Sequence, residues 1–148
     1  GDSYLLDFNI ISNNMSKVIA PSNSYFDVTW SIDGLKNEKD MKMERNNTTV
    51  YYRYSNEDVD YLSTTSDETE KLTPGIQWLA FKQHFFSSVL ISKSKFENAE
   101  IGTATDLSSE NVKNLKMALT IPYAHKANED YQSYNKLKRD WVKFLPIF

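Results

Sequence analysis

The sequence contains no cysteine. This absence excludes disulfide frameworks, zinc sites built on thiolates and catalytic thiol nucleophiles. Glycine and proline are also scarce, with four of each among 148 residues, which argues against a low-complexity or disordered chain. No run of the sequence approaches the roughly 20 apolar residues that a membrane-spanning helix needs. These absences predict a soluble, folded domain with no membrane span within this stretch.

The charge balance excludes a further class of function. Lysine and arginine number 17 against 20 aspartate and glutamate residues, which gives a net charge of −3. A nucleic-acid-binding protein normally shows a basic excess with clustered arginine, and this chain has neither. We therefore expect no nucleic-acid partner. Aromatic residues, in contrast, make up 14% of the sequence and supply bulky material for a core.

Most of the chain carries apolar residues at every second position, the pattern of half-buried β-strands. In residues 24–33 the alternating apolar positions are Phe26, Val28, Trp30 and Ile32. The same alternation marks residues 112–123, and residues 48–54 are rich in β-branched and aromatic types. This order of strands predicts one domain, residues 1–148, folded as a mainly β, antiparallel β-sandwich.

Two polar segments separate the predicted strands. Residues 33–47 are highly charged and predict a solvated loop or a short surface helix. Residues 63–75 are also polar and end in a Pro-Gly pair, so they predict a loop before the next strand. Both segments are expected on the surface.

The most apolar segment, residues 75–92, reads GIQWLAFKQHFFSSVLIS. Periodicity alone permits a buried helix, but the β-branched and aromatic content and the preceding proline favour two consecutive strands or one bent strand. The aromatic residues of this segment are Trp78, Phe81, Phe85 and Phe86. Aromatic faces suit a partner contact or an apolar groove as well as a core. We expect most of these rings in the core, with one or two lining a cleft that contacts a partner.

Helical spacing of apolar residues occurs only at the end of the chain. In residues 131–148 these residues follow a three-and-four spacing, with basic residues around them. The pattern predicts a terminal amphipathic helix, which either packs on the sheet or lies along a membrane interface. The residues assigned to the membrane-proximal helix are Trp141, Lys143, Phe144 and Phe148.

No pattern in the chain matches a catalytic or metal site. His84 and His125 each stand alone, without a partner at metal-ligand spacing. The carboxylates of residues 58–70 lie in polar segments, and solvated loops explain them better than a glycosidase pair, which needs a fixed separation. The chain also has no nucleophile elbow and no glycine-rich phosphate loop. We expect no enzymatic activity, no cofactor and no metal.

The segment 75–91 resembles a signature late in the large periplasmic domain of the YidC family of bacterial membrane protein insertases. In that family a tryptophan is followed by a glutamine, paired aromatic residues and small residues before an apolar end. The matching residues here are Trp78, Phe81, Gln83, Phe85, Phe86, Ser87 and Ser88. The resemblance runs in order from about Tyr4 to Tyr123. Within the family, the pattern of the chain is similar to that of insertases of Bacteroidetes-type bacteria. Because the family's domain is longer on its N-terminal side, the chain resembles the later portion of that domain.

This resemblance implies a β-supersandwich fold like that of sugar mutarotases, without their isomerase activity. It implies a domain on the periplasmic face of the bacterial inner membrane, with a non-catalytic role in the insertion and folding of membrane proteins. The implied partners are accessory subunits of the Sec translocon or client membrane proteins. The inner membrane itself would be reached through a transmembrane region absent from these residues, with the terminal helix leading toward it.

The residues leave one alternative function open. A carbohydrate-binding β-sandwich of a secreted or surface protein would use exposed aromatic rings as stacking platforms. Tyr51 and Trp30 are the candidates for such platforms.

Overall fold

The computed structural model describes residues 6–8, 18–20, 22–122 and 142–147. Within this described part, the one helix is six residues long. No helix found there is long and apolar enough to cross a membrane. The elements, in chain order, are β1 (Leu6–Phe8), β2 (Tyr25–Asp33), α1 (Met41–Asn46), β3 (Thr49–Tyr54), β4 (Val59–Tyr61), β5 (Glu68–Leu72), β6 (Ile76–Lys82), β7 (Ser87–Phe96), β8 (Asn98–Ala104), β9 (Asn114–Pro122) and β10 (Val142–Ile147).

The strands form two antiparallel sheets. The larger sheet has six strands in the order β1-β10-β7-β6-β3-β4, and the smaller sheet has four in the order β2-β9-β8-β5. One cluster of buried side chains receives members from both sheets, so the sheets stack face to face. The predicted mainly β, antiparallel sandwich is confirmed. The closer likeness to sugar mutarotases stays a prediction.

The core lies between the two sheets and is built from the inward-facing positions of their strands. On the small sheet, β9 buries Leu115, Met117 and Leu119 at every second position, as the sequence predicts. On the large sheet, Leu79 and Phe81 of β6 are fully buried in the same cluster. Burial of side chains of this size stabilises the fold by roughly 1.5–3 kcal/mol each relative to exposure. The alternation also fixes the register, because a shift by one residue would turn the apolar set toward water.

The apolar segment 75–92 forms two consecutive strands, as predicted. β6 and β7 pair antiparallel, and the Gln83 N–H donates to the Phe86 carbonyl at 2.7 Å in the loop between them. β6 begins after Gly75, whose φ of 106° lies in the left-handed region that glycine tolerates. Because β6 lies between β3 and β7, it is an interior strand of the sheet.

The charged segment 33–47 contains both of the structures that the sequence allowed, a loop and a short helix. The helix α1 begins after Asp40, whose Oδ1 accepts a hydrogen bond from the Met43 N–H at 3.0 Å. This is the usual N-cap interaction, which satisfies one of the free N–H groups at a helix start.

The polar segment 63–75 corrects the sequence prediction of a loop. Glu68–Leu72 within it form β5, an edge strand of the small sheet. An edge strand with one face in water is polar at most positions, and Leu72 is the buried residue of β5. Strand β8 has a similarly weak signal, because two of the residues it buries are Ala99 and Thr103. Both strands therefore lack the apolar alternation that predicts a strand.

The end of the chain gives a second correction. The helix predicted for residues 131–148 is wrong for Val142–Ile147, which form β10 between β1 and β7. Pro146 has no N–H to donate within a helix, and antiparallel pairing with β7 satisfies the backbone instead. The β-branched residues at both ends of this segment also favour a strand.

This correction affects the residues assigned to a membrane-proximal helix. Lys143 and Phe144 lie in β10. Trp141, Phe148 and residues 131–140 lie outside the described part of the chain. The structure therefore gives no helical membrane-facing surface for Lys143 and Phe144.

Candidate functional site

An apolar groove lies on the outer face of the six-stranded sheet, opposite the core. It has a volume of about 320 Å³ and crosses β3, β6 and β7. Its lining consists of Tyr51, Trp78, Ala80, Lys82, Ser87, Val89 and Ile91. We call this site the outer groove. Its surface is mainly apolar and includes one cationic side chain, that of Lys82.

The strand register explains the shape of the outer groove. Tyr51 pairs with Ala80, and Ala80 pairs with Val89, so these residues form one row across the sheet. In a neighbouring row, Trp78 pairs with Ile91. Ala80 presents only a methyl group, while the residues around it project farther from the sheet. A small residue flanked by large ones therefore forms the depression.

Two tyrosines extend the apolar surface toward the edge of the sheet. Tyr51 and Tyr61 are paired across β3 and β4, and their rings stack with centroids 4.9 Å apart. Tyr61 is 52% exposed, and Val59 on the same edge strand is 48% exposed. Burial and, second, the neighbouring Tyr61 raise the pKa of Tyr51 above its usual value. Tyr51 therefore stays a neutral hydroxyl at physiological pH.

Lys82 places a positive charge at one end of the outer groove. Its Nζ lies 6.0 Å from the centre of the Tyr51 ring, at the limit for a cation–π interaction. It also lies 3.5 Å from the carbonyl oxygen of Asn47. Among the described residues, one ion pair is found, between Lys71 and Glu100 on the small sheet. No described carboxylate lies within salt-bridge distance of Lys82.

The aromatic residues predicted for a cleft or a partner contact occupy three environments. Trp78 lines the outer groove, and Phe81 is fully buried in the core. Phe85 and Phe86 lie in the β6–β7 loop and are 45% and 42% exposed. His84 packs edge-on against Phe85 there, with ring centroids 4.3 Å apart. The structure thus groups Trp78 with residues of β3 and β7, and the partner role of all four aromatic residues stays a prediction.

Sequence reasoning missed most of the outer groove. Val89 and Ile91 received no role, and Tyr51 was considered only as a sugar platform. A signal was available, because β6 and β7 carry apolar residues at both odd and even positions. A strand that is apolar on both faces is expected to have both faces covered, either by core or by a partner.

A second, polar depression of about 270 Å³ includes Tyr52, Asp60 and Glu70 in its lining. The Tyr52 hydroxyl lies 3.2 Å from a Glu70 oxygen and 3.3 Å from an Asp60 oxygen. Because Glu70 belongs to the small sheet and Tyr52 to the large one, this contact links the two layers. Burial and then the charges of Glu70 and Asp60 raise the pKa of Tyr52. The hydroxyl therefore keeps its proton and remains the donor, which is a structural role.

Two buried charges hold loops together at the α1 end of the sandwich. Glu44 is 2% exposed, and its carboxylate accepts hydrogen bonds from the Asn37 N–H at 2.9 and 3.0 Å. Lys113 is 4% exposed, and its Nζ donates to the carbonyls of Thr48 at 3.2 Å and Thr64 at 2.8 Å. Burial lowers the pKa of Lys113. Each buried charge is thus satisfied by backbone groups, as a stable interior requires.

The described residues contain no group of three or more His, Cys, Asp or Glu side chains that could hold a metal ion. His84 lies in the β6–β7 loop, while His125 lies outside the described part. The side chains of Glu44, Tyr52 and Lys113 are engaged in internal hydrogen bonds. The lining of the outer groove is mainly apolar, which suits non-covalent contact with apolar surface.

The family model and the similar proteins found by comparison all indicate the same family. Residues 1–135 match the family model of the YidC periplasmic domain. A protein named membrane protein insertase YidC from Porphyromonas gingivalis is 33% identical over 123 residues, which are 82% of this chain and 20% of that protein. The protein of that name from Bacteroides fragilis is 35% identical over 100 residues, 68% of this chain and 16% of that protein. The one from Parabacteroides distasonis is 28% identical over 122 residues, 82% of this chain and 19% of that protein.

The chain spans about a fifth of the length of the curated relatives with the widest coverage. No solved structure matches it significantly. The family match nevertheless covers most of the chain. The chain belongs to the YidC periplasmic domain family.

Proposed function

We propose that this domain serves a membrane protein insertase on the periplasmic side of the bacterial inner membrane, where it contacts client proteins during their insertion and folding. Family membership supports this role, since the relatives are named membrane protein insertases. The structural observation that carries the proposal is the outer groove. The role is non-catalytic, because the groove can bind apolar surface but presents no reactive constellation.

The lining of the groove suits client segments. A membrane protein exposes apolar stretches until they are buried in lipid or protein, and covering them removes apolar area from water. Trp78 and Tyr51 are large, rigid rings of the type that dominates protein–protein contacts. The groove can therefore hold a short apolar stretch by shape and burial alone.

Accessory subunits of the Sec translocon are a second proposed class of partner. The β6–β7 loop presents Phe85, which is 45% exposed at the end of the hairpin that also carries Trp78. Exposed aromatic residues near an apolar surface are typical of partner contacts. A translocon subunit that binds this loop would hold the client groove close to the protein-conducting channel.

The carbohydrate-binding alternative has no support from the geometry. Trp30 packs against Phe81 of the core, with ring centroids 4.3 Å apart. Tyr51 is stacked against Tyr61. Neither ring therefore stands as an isolated platform for a sugar.

Binding of a defined apolar peptide tests the proposal. The probe is a fluorescein-labelled peptide with four central leucine and valine residues and glutamine at both ends, followed by fluorescence anisotropy. Trp78→Ala should weaken binding by roughly tenfold or more, as expected for a central aromatic contact. Tyr25→Ala is the matched control, because Tyr25 is a 45% exposed aromatic residue on the small sheet. Equal affinity for Trp78→Ala and the unmodified domain, or saturable sugar binding in place of peptide binding, would contradict the proposal.

A further inference from the structure

Around the outer groove, the described side chains of the large sheet carry positive charge that no described ion pair balances. Among the cross-strand paired residues of β3, β4, β6 and β7, the charged residues in the outward-facing rows are Arg53 and Lys82, and no carboxylate lies in those rows. Arg53 is paired with Trp78 and Lys82 with Ser87, so the cations lie at opposite ends of the groove. Because the chain as a whole has a net charge of −3, this face differs from the average surface.

The two ends of the groove are not equivalent. The Arg53 Nε donates to the Glu57 carbonyl at 3.0 Å, beside a turn that carries the acidic residues Glu57 and Asp58. At the other end, the hydrogen-bond partner of Lys82 Nζ within the described part of the chain is the neutral carbonyl of Asn47. The unbalanced charge is therefore concentrated at Lys82.

The distance between the two ends defines the length of chain that fits. Lys82 pairs with Thr49 of β3, whereas Arg53 is itself a residue of β3 and pairs with Trp78. The two rows therefore lie four residues apart along β3. At about 3.3 Å per residue, this corresponds to roughly 13 Å. An extended peptide segment of about four residues spans this distance. The peptide residue that flanks this segment at one end then lies near Lys82.

We infer that the outer groove binds an extended apolar client segment that carries an acidic residue at the Lys82 end. This inference rests on the proposed function and names the chemistry of the client. A carboxylate placed there pairs with the Lys82 ammonium beside the apolar wall of the groove, while a lysine at the same place is repelled. The arrangement also suits the periplasmic side, because lysine and arginine that flank membrane spans are concentrated on the cytoplasmic side.

A charge-swap experiment tests the inference. Three labelled peptides share the apolar centre described above and end in glutamate, glutamine or lysine on both sides. With the unmodified 148-residue chain at low salt, the glutamate peptide should bind roughly three- to tenfold more tightly than the lysine peptide, with glutamine between them. Lys82→Glu should reverse this order, and Lys82→Gln should abolish most of the preference.

The matched control is Lys116→Glu, which makes the same charge change on the outer face of β9 in the other sheet and should keep the original order. The preference should also shrink in about 1 M salt, where charges are screened within ~3 Å. Circular dichroism and thermal unfolding establish that each variant is folded, and Lys82→Gln gives the test if Lys82→Glu does not fold.

The outcomes separate the two proposals. If all three peptides bind equally and Trp78→Ala still weakens them, the charge preference is overturned and the apolar client site stands. A preference that survives in Lys82→Gln also overturns the inference, because the charge then comes from elsewhere. If no peptide binds, the proposed function itself fails, and the inference fails with it.

Discussion

Strand β6 is apolar on both faces, but the two faces have opposite surroundings. Leu79 and Phe81 point into the core and are fully buried beneath the small sheet. Trp78 and Ala80 point outward and line the groove. The two faces therefore differ in what lies opposite them and not in residue type. An apolar sheet face covered by a second sheet stabilises the fold, whereas the other apolar face is the one that we propose for a partner.

The neighbouring residues Tyr51 and Tyr52 repeat this contrast on β3. Tyr52 is 5% exposed in the core, and its hydroxyl contacts Asp60 and Glu70. Tyr51 lies on the opposite face and stacks on Tyr61. One residue type thus has a linking role between layers on one face and a role in the groove wall on the other.

The largest expected effect comes from truncating the inner face of β6. Phe81→Ala should lower the free energy of unfolding by about 3–5 kcal/mol, because it removes a fully buried ring and leaves a cavity. Trp78→Ala, a truncation on the outer face of the same strand, should cost roughly 1 kcal/mol, because Trp78 is only partly buried. Urea unfolding at neutral pH measures both values. Similar losses for the two variants would break the comparison, since the outer face would then be part of the core.

The tyrosine pair gives the next largest effect. Tyr52→Phe should lower the free energy of unfolding by about 1 kcal/mol, because it removes the hydroxyl that lies between two carboxylates. Tyr51→Phe should change it by less than about 0.5 kcal/mol, because no side-chain hydrogen bond of Tyr51 is found among the described residues. The same urea titration measures both variants. A larger loss for Tyr51→Phe than for Tyr52→Phe would reverse the assignment of the two faces.

Alkaline pH sharpens the tyrosine comparison. The pKa of Tyr52 is raised above its usual value of 10.0, so the folded protein holds this proton more tightly than the unfolded chain. The stability that depends on this proton is present below about pH 10 and is lost as the pH rises toward the folded pKa. Between about pH 9.5 and 11, Tyr52→Phe should lose stability less steeply than the unmodified domain, while lysine titration affects both alike. Parallel losses in the two proteins would show that Tyr52 is not the titrating group.

The sequence predicted the parts of the fold whose strands alternate strongly. β9 and the β6–β7 hairpin were identified, because their apolar residues are large and regularly spaced. β5 and β8 were missed, because an edge strand and a strand that buries small residues carry little periodic signal. β10 was predicted as a helix, because three-and-four spacing of apolar residues also occurs in a short strand next to a longer amphipathic pattern.

The candidate site could be predicted only in part, because it depends on register between distant segments. The aromatic segment indicated Trp78, but Tyr51 and Val89 join it through pairing across β3, β6 and β7. Asp60 and Glu70 meet at Tyr52 for the same reason, although the sequence placed them in separate polar segments. Local pattern predicts which way a side chain points, and only the assembled sheet determines its neighbours.

The smallest expected effect is on the outer edge of the large sheet. A double-mutant cycle between Tyr51→Ala and Tyr61→Ala should give a coupling energy of roughly 0.5–1 kcal/mol, typical of a cross-strand aromatic pair. The value should be low because Tyr61 is 52% exposed and β4 is a three-residue edge strand. Urea unfolding of the two single variants and the double variant measures it. A coupling above about 2 kcal/mol would place the stacked pair among the contacts that hold the fold together. A coupling within the expected range means that the outer face can exchange its own contacts for those of a partner at little cost to stability.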